Sequence, residues 1–184
     1  FLYLTIVFLA KRLIKPSEDG TYSTGKAVAI FGSGLVGALA YCFSDTFWFS
    51  AVEAEVYALS SMFTALVVWL MLRWEEEADE PHSARWIILI AYLMGLSIGV
   101  HILNLLTIPA LVFIYYFRKY NKVSMLGLGV VTLLACAILL VINGIIIPYT
   151  VKLGAMVDVF FVNSLGLPVN MGIIVFTLAM FALL

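Results

Sequence analysis

The sequence predicts an all-α, polytopic membrane bundle. Hydrophobic residues make up 64% of the 184 positions and charged residues only 11%, with a mean hydropathy of +1.12. Soluble domains carry about 25% charged residues and cannot hide this much apolar surface. The remaining charges are gathered between long apolar runs, the pattern of helices that cross lipid. The net charge of -1 says nothing about partners, no basic patch suggests nucleic acid, and no nucleic-acid partner is expected.

Taken in order, the chain reads as one transmembrane domain over 1–184, with spans at about 1–13, 27–43, 51–74, a hairpin of 86–99 and 104–117, then 125–149 and 173–184. Phe1–Ala10 stops at Lys11 and Arg12. It is too short to cross alone, since a crossing takes about 20 residues. It therefore reads as part of a truncated helix, as does the apolar run ending at Leu184. Gly32, Ser33, Gly34 and Gly37 give the second span a small-residue face for close helix contact. The third span opens with two glutamates. Trp86–Phe117 is too long for one helix, and its middle carries Gly99, His101, Asn104 and Pro109, which are break signals. It reads as two short helices that enter and return. Val151–Gly172, with Lys152, Asp158 and Asn163, reads as interfacial or re-entrant.

Nine of the ten basic residues fall in three places: Lys11–Lys26, Arg73 with Arg85, and Arg118–Lys122. The hairpin puts all three on one side, which the positive-inside rule makes cytoplasmic. Ser44–Tyr57 and Val151–Gly172 then face the other side. The acidic run Glu75–Glu80 reads as a solvated loop, with His82 in it.

Polar residues within spans are costly and face a cavity or a partner. Glu53, Tyr57 and Ser60 stand at i, i+4, i+7, with Thr64 extending the stripe. Glu55 points away from Glu53 at 100° per residue. These residues line a polar wall, or simply mark a helix start at headgroup level. Ser97, His101 and Asn104 have the same spacing. His101 either binds an anionic headgroup or hydrogen-bonds Asn104 or a backbone carbonyl. Asp45 and Asp158 read as catalytic carboxylates or as ordinary loop residues. Cys42 and Cys136 lie in apolar runs without metal spacing, and no metal or other cofactor is expected. No Walker, GxSxG, HExxH or dinucleotide motif occurs.

Two long motifs carry a family resemblance. Ser44–Leu59 reads SDTFWFSAVEAEVYAL and Ala91–Leu111 reads AYLMGLSIGVHILNLLTIPAL. Both resemble the bacterial domain-of-unknown-function 2723 family, which is similar to the protein O-mannosyltransferases and to the GT-C glycosyltransferases. The resemblance runs from the start of the chain to about Phe117. It implies a GT-C-like membrane enzyme, placed in the bacterial inner membrane, that moves a sugar from a polyprenyl-phosphate donor to a protein acceptor on the non-cytoplasmic face. Membrane lipid is the other expected partner. By the same resemblance, Glu53, Glu55 and Tyr57 edge the acceptor side, while His101 and Asn104 serve the donor side. The family's acidic catalytic motif has no matching residues here and belongs before Phe1. No catalytic base is therefore assigned, and the fragment is expected to be inactive alone. The residues themselves leave open a transporter or lipid flippase, or a non-catalytic membrane scaffold. An inverted repeat would favour the transporter, and none is visible.

Overall fold

A computed structural model describes residues 1–53, 56–120 and 123–182. Every regular element among them is helical. The chain forms two compact units, Phe1–Thr132 and Leu133–Leu184. Among the described residues four helical runs are long and apolar enough to cross a membrane: Thr24–Cys42, Tyr57–Glu76, Ile102–Lys119 and Met125–Leu165.

In the first unit α1 (Leu2–Leu13) ends with Lys11 and Arg12 in its last turn, where cations suit the negative end of the helix dipole. Helix α2 (Thr24–Cys42) starts at Ser23, whose hydroxyl accepts from the Lys26 amide. The two helices pack through glycine. A Cβ on Gly34 would stand 2.6 Å from Val7 Cγ2, and one on Gly37 would stand 2.8 Å from Ile6 Cδ1. Only a missing side chain allows that approach, and close packing is what holds helices together in lipid.

Helix α3 (Asp45–Val52) is separate from α4 (Tyr57–Glu76). The spacing had implied one helix from Ala51. Instead Glu53 caps α3 in an extended conformation, φ -69 and ψ 145. Ring pairs Tyr41–Phe47 and Phe43–Trp48, at 4.6 and 5.8 Å, hold α3 across the end of α2. Helix α4 is the centre of the unit. Val67, Leu70, Met71 and Trp74 are buried along it, against α1, α5 and α6.

Helix α5 (Ala84–Ile98) gives way to a 3-10 turn (Ile102–Thr107), followed directly by α6 (Ile108–Lys119). Pro109 sits in the first turn of α6, where its missing N–H removes no helical bond. Arg85, at the start of α5, pairs with Glu77 at 2.8 Å. Arg118, near the end of α6, donates to the Glu75 carbonyl at 2.9 Å and pairs with Asp79. Helices α5 and α6 therefore leave and return to one end of the unit. Arg12 joins them there, 2.7 Å from Glu75. The acidic run read as a solvated loop is thus a tie between the ends of α1, α4, α5 and α6. Each exposed pair adds at most about 1 kcal/mol, so the tie selects an arrangement more than it supplies stability.

The second unit takes in the later part of α7 (Met125–Val141), which runs through a π-helical turn (Ile142–Ile146) into α8 (Ile147–Leu165), and ends with α9 (Met171–Ala182). Most of Val151–Gly172, for which the sequence suggests an interfacial or re-entrant segment, belongs to α8. The wider π turn precedes Pro148, whose ring and missing N–H break the ordinary bonding pattern. The helical run Met125–Leu165 has 41 residues, about twice what a crossing needs. Gly166 ends it in the left-handed region, φ 63, the usual helix stop. Asp158, an open choice between catalytic and loop residue in the sequence, points across at α9. It accepts from the amides of Asn170, Gly172 and Ile173 at 3.2, 3.0 and 3.4 Å, which caps that helix.

Candidate functional site

A cavity of about 430 Å³ opens in the first unit between α1, the end of α2, α4 and the 3-10 turn. Tyr57, Ser60, Ser61, Thr64 and Val68 form its α4 wall, a stripe at helical spacing. It occupies the half of α4 away from the arginine tie. Leu2, Tyr41 and Leu103 complete apolar walls. No charged side chain lines it among the described residues. Such a space accepts an apolar chain and offers hydroxyls along one side.

His101 does not line the cavity but packs against Tyr57, which does. Its ring lies 5.3 Å from the Tyr57 ring, tilted by 51°. Its Nδ1 accepts from the Leu103 amide at 3.1 Å, so the neutral ring carries its proton on Nε2. The spacing had put Ser97, His101 and Asn104 on one helix face. In the structure α5 ends at Ile98, and His101 is extended, φ -162 and ψ 139. His101 leaves the face and goes to Tyr57. Ser97 and Asn104 still meet, because the turn folds back.

Asn104 is 0% exposed and Ser97 1%. Asn104 Nδ2 donates to Ser97 Oγ at 2.8 Å, and Asn104 Oδ1 accepts from Thr64 Oγ1 at 3.1 Å. Ser97 Oγ donates onward to the Met94 carbonyl at 2.8 Å. Every polar atom of this buried chain is satisfied, as burial requires. Ser60, also buried, lines the cavity beside it.

The expected carboxylates are less well gathered. Glu53 is exposed at the end of α3, so it does not share a helix face with Tyr57 and Ser60. Glu55 lies outside the described residues. Asp45 is in the first turn of α3, where a negative charge favours the helix. Among the described residues no three His, Cys, Asp or Glu side chains group to hold a metal. The resolved carboxyl shifts lie away from the cavity. Glu77 is held below its ordinary value by the Trp86 indole N–H and by Arg85. Asp19 is lowered by the Thr21 hydroxyl and amide.

Sequence reasoning missed Thr5, Tyr41 and Leu103 as cavity walls. They come from three different elements, and no spacing links them.

Residues 1–124 match the family model described as the protein O-mannosyl-transferase TMEM260 N-terminal domain. No curated protein and no solved structure matches the chain. The family match agrees with the mannosyltransferase part of the resemblance read from the two motifs. The domain-of-unknown-function name has no counterpart in it.

Proposed function

From the premise that this chain belongs to the TMEM260 N-terminal domain family of protein O-mannosyl-transferases, we propose that it is part of a GT-C-type membrane glycosyltransferase. The donor is a polyprenyl-phosphate-linked sugar, mannose by the family name, and the acceptor is a protein hydroxyl. The reaction is a direct displacement. The acceptor oxygen bonds to the anomeric carbon, the bond to the donor phosphate breaks, and the acceptor proton goes to a base that none of these residues is assigned to be.

The single observation that carries this reading is the cavity lined by Tyr57, with the His101 ring packed against that tyrosine. Its uncharged walls suit an isoprenoid chain, whose burial supplies affinity. Beside Tyr57, the imidazole Nε2–H is the donor we assign to the leaving phosphate. Tyr57 and Glu53 lie toward the acceptor, with Glu55 beside them in sequence. Position and orientation of the two substrates then supply much of the rate. The lipid tail makes the surrounding membrane a partner, and the side opposite the arginine tie is the non-cytoplasmic one.

The test uses the full-length protein in proteoliposomes, given a polyprenyl-phosphate mannose and a serine- and threonine-rich peptide. Wild type should mannosylate the peptide. His101→Ala and Glu53→Gln should lower transfer while folded yield stays unchanged. Wild-type rates in both variants would remove these residues from the site, and no transfer by wild type would remove the function.

A further inference from the structure

We infer that Asn104 is a positioning residue that sets the His101 ring against Tyr57, rather than a group that touches the donor. The inference builds on the reading of the Tyr57–His101 pair as part of the site.

The hydrogen-bond directions leave Asn104 one orientation. Ser97 has one hydroxyl proton, and it goes to the Met94 carbonyl. Its oxygen can then only accept, so it takes the Asn104 amide N–H. That turns Asn104 Oδ1 to Thr64, which donates. Thr64 belongs to α4 and Ser97 to α5, so one amide joins the turn to both helices. Further bonds bracket the intervening residues. The Ser97 carbonyl accepts from the amides of Val100 and His101 at 3.0 and 2.8 Å. Thr107 Oγ1 donates to the Asn104 carbonyl at 2.7 Å.

His101 lies midway between these anchors, four residues after Ser97 and three before Asn104. Its own bond, from the Leu103 amide to Nδ1, fixes the ring only relative to the turn. The Asn104 amide fixes the turn relative to α4, and α4 carries Tyr57. The path from Asn104 to the His101–Tyr57 contact therefore runs through backbone and two helices, with Asn104 sealed from the cavity. An aspartate at 104 would match the shape but present a second acceptor to Ser97, whose one proton would have to leave the Met94 carbonyl, and would bury a carboxylate in place of the amide.

The chain has two histidines. His82→Gln in the full-length protein leaves His101 as the single ¹⁵N-histidine signal within this chain, apart from any histidine outside it, which assignment by His101→Gln removes. In nanodiscs, Asn104→Asp should shift the His101 tautomer balance and its ring-proton resonances. It should also speed acylation of the imidazole by diethyl pyrocarbonate several-fold. Thr64→Val, which removes one hydroxyl, should act in the same direction and covers the case in which Asn104→Asp does not fold. Val67→Ala lowers stability at a buried α4 position outside this chain of bonds and should leave the His101 signals in place. Unchanged His101 signals in folded Thr64→Val and Asn104→Asp would overturn the inference. So would an equal response in Val67→Ala. If His101 responds as expected while wild type transfers no sugar, the positioning role stands and the enzymatic reading falls.

Discussion

The Trp86 indole N–H donates to Glu77 Oε2 at 2.8 Å, and Arg85 holds the same oxygen at 2.8 Å. Glu77 Oε1 meanwhile pairs with Arg73 at 2.9 Å. One carboxylate thus joins the end of α4 to the start of α5. Its folded-state pKa lies below the ordinary value of 4.5, first through the Trp86 bond and then through Arg85. A depressed carboxyl contributes stability that is fully present above the unfolded value. It is lost as pH falls through the folded value. Wild type should therefore lose thermal stability between about pH 4.5 and lower pH more steeply than Glu77→Gln, which has no such group to titrate. Parallel unfolding curves for the two proteins would contradict this.

The return of α6 to the start of α5 predicts a labelling pattern. With Cys42 and Cys136 replaced by alanine, single cysteines at Ala84 and Lys119 should react with an impermeant maleimide from the same face of sealed vesicles. Reaction from opposite faces would contradict the contacts of Arg85 and Arg118 with the 75–79 segment.

Gly34 has no room for a methyl group, because Val7 and Tyr3 press on it. Gly34→Ala should lower stability by about 1–3 kcal/mol, the usual range for overpacking. Gly32→Ala is the control. Nothing lies within 4 Å of a Cβ there, and alanine is the better helix former. Thermal unfolding in detergent should separate the two variants clearly.

Asp158 caps α9 through three backbone amides. Asp158→Ala should lower stability by about 0.5–2 kcal/mol, and Asp158→Asn, which keeps an acceptor, by less. Hydrogen exchange in the first turn of α9 should rise in the alanine variant. Sugar transfer per folded molecule should not change, which would separate this carboxylate from the catalytic role its residue type suggested.

The parts of the site visible in the sequence were those set by residue type in an apolar background. Ser97, His101 and Asn104 stand out because polar groups there need partners. Their helical spacing put all three on one face, whereas Ser97 and Asn104 meet through a turn that folds back and His101 lies against Tyr57. The spacing rule assumes a continuous helix, and Gly99 with the 3-10 turn ended it. Glu53 shows the same limit. Its register with Tyr57 was correct arithmetic on a helix that α3 interrupts.

Composition and apolar run length by themselves determined the all-α membrane class, because backbone groups in lipid must be satisfied within helices or closed barrels, and long unbroken apolar runs suit helices rather than alternating barrel strands. The break between Ile98 and Ile108 was also local, signalled by glycine and proline. Only the tertiary structure decided what the polar groups do. Asn104 is sealed because Thr64 and Ser97 reach it from different helices, and Glu77 is a joint because Trp86 and two arginines converge on it. A hydrogen-bond partner distant in sequence leaves no periodic trace, so its identity appears only once the helices pack.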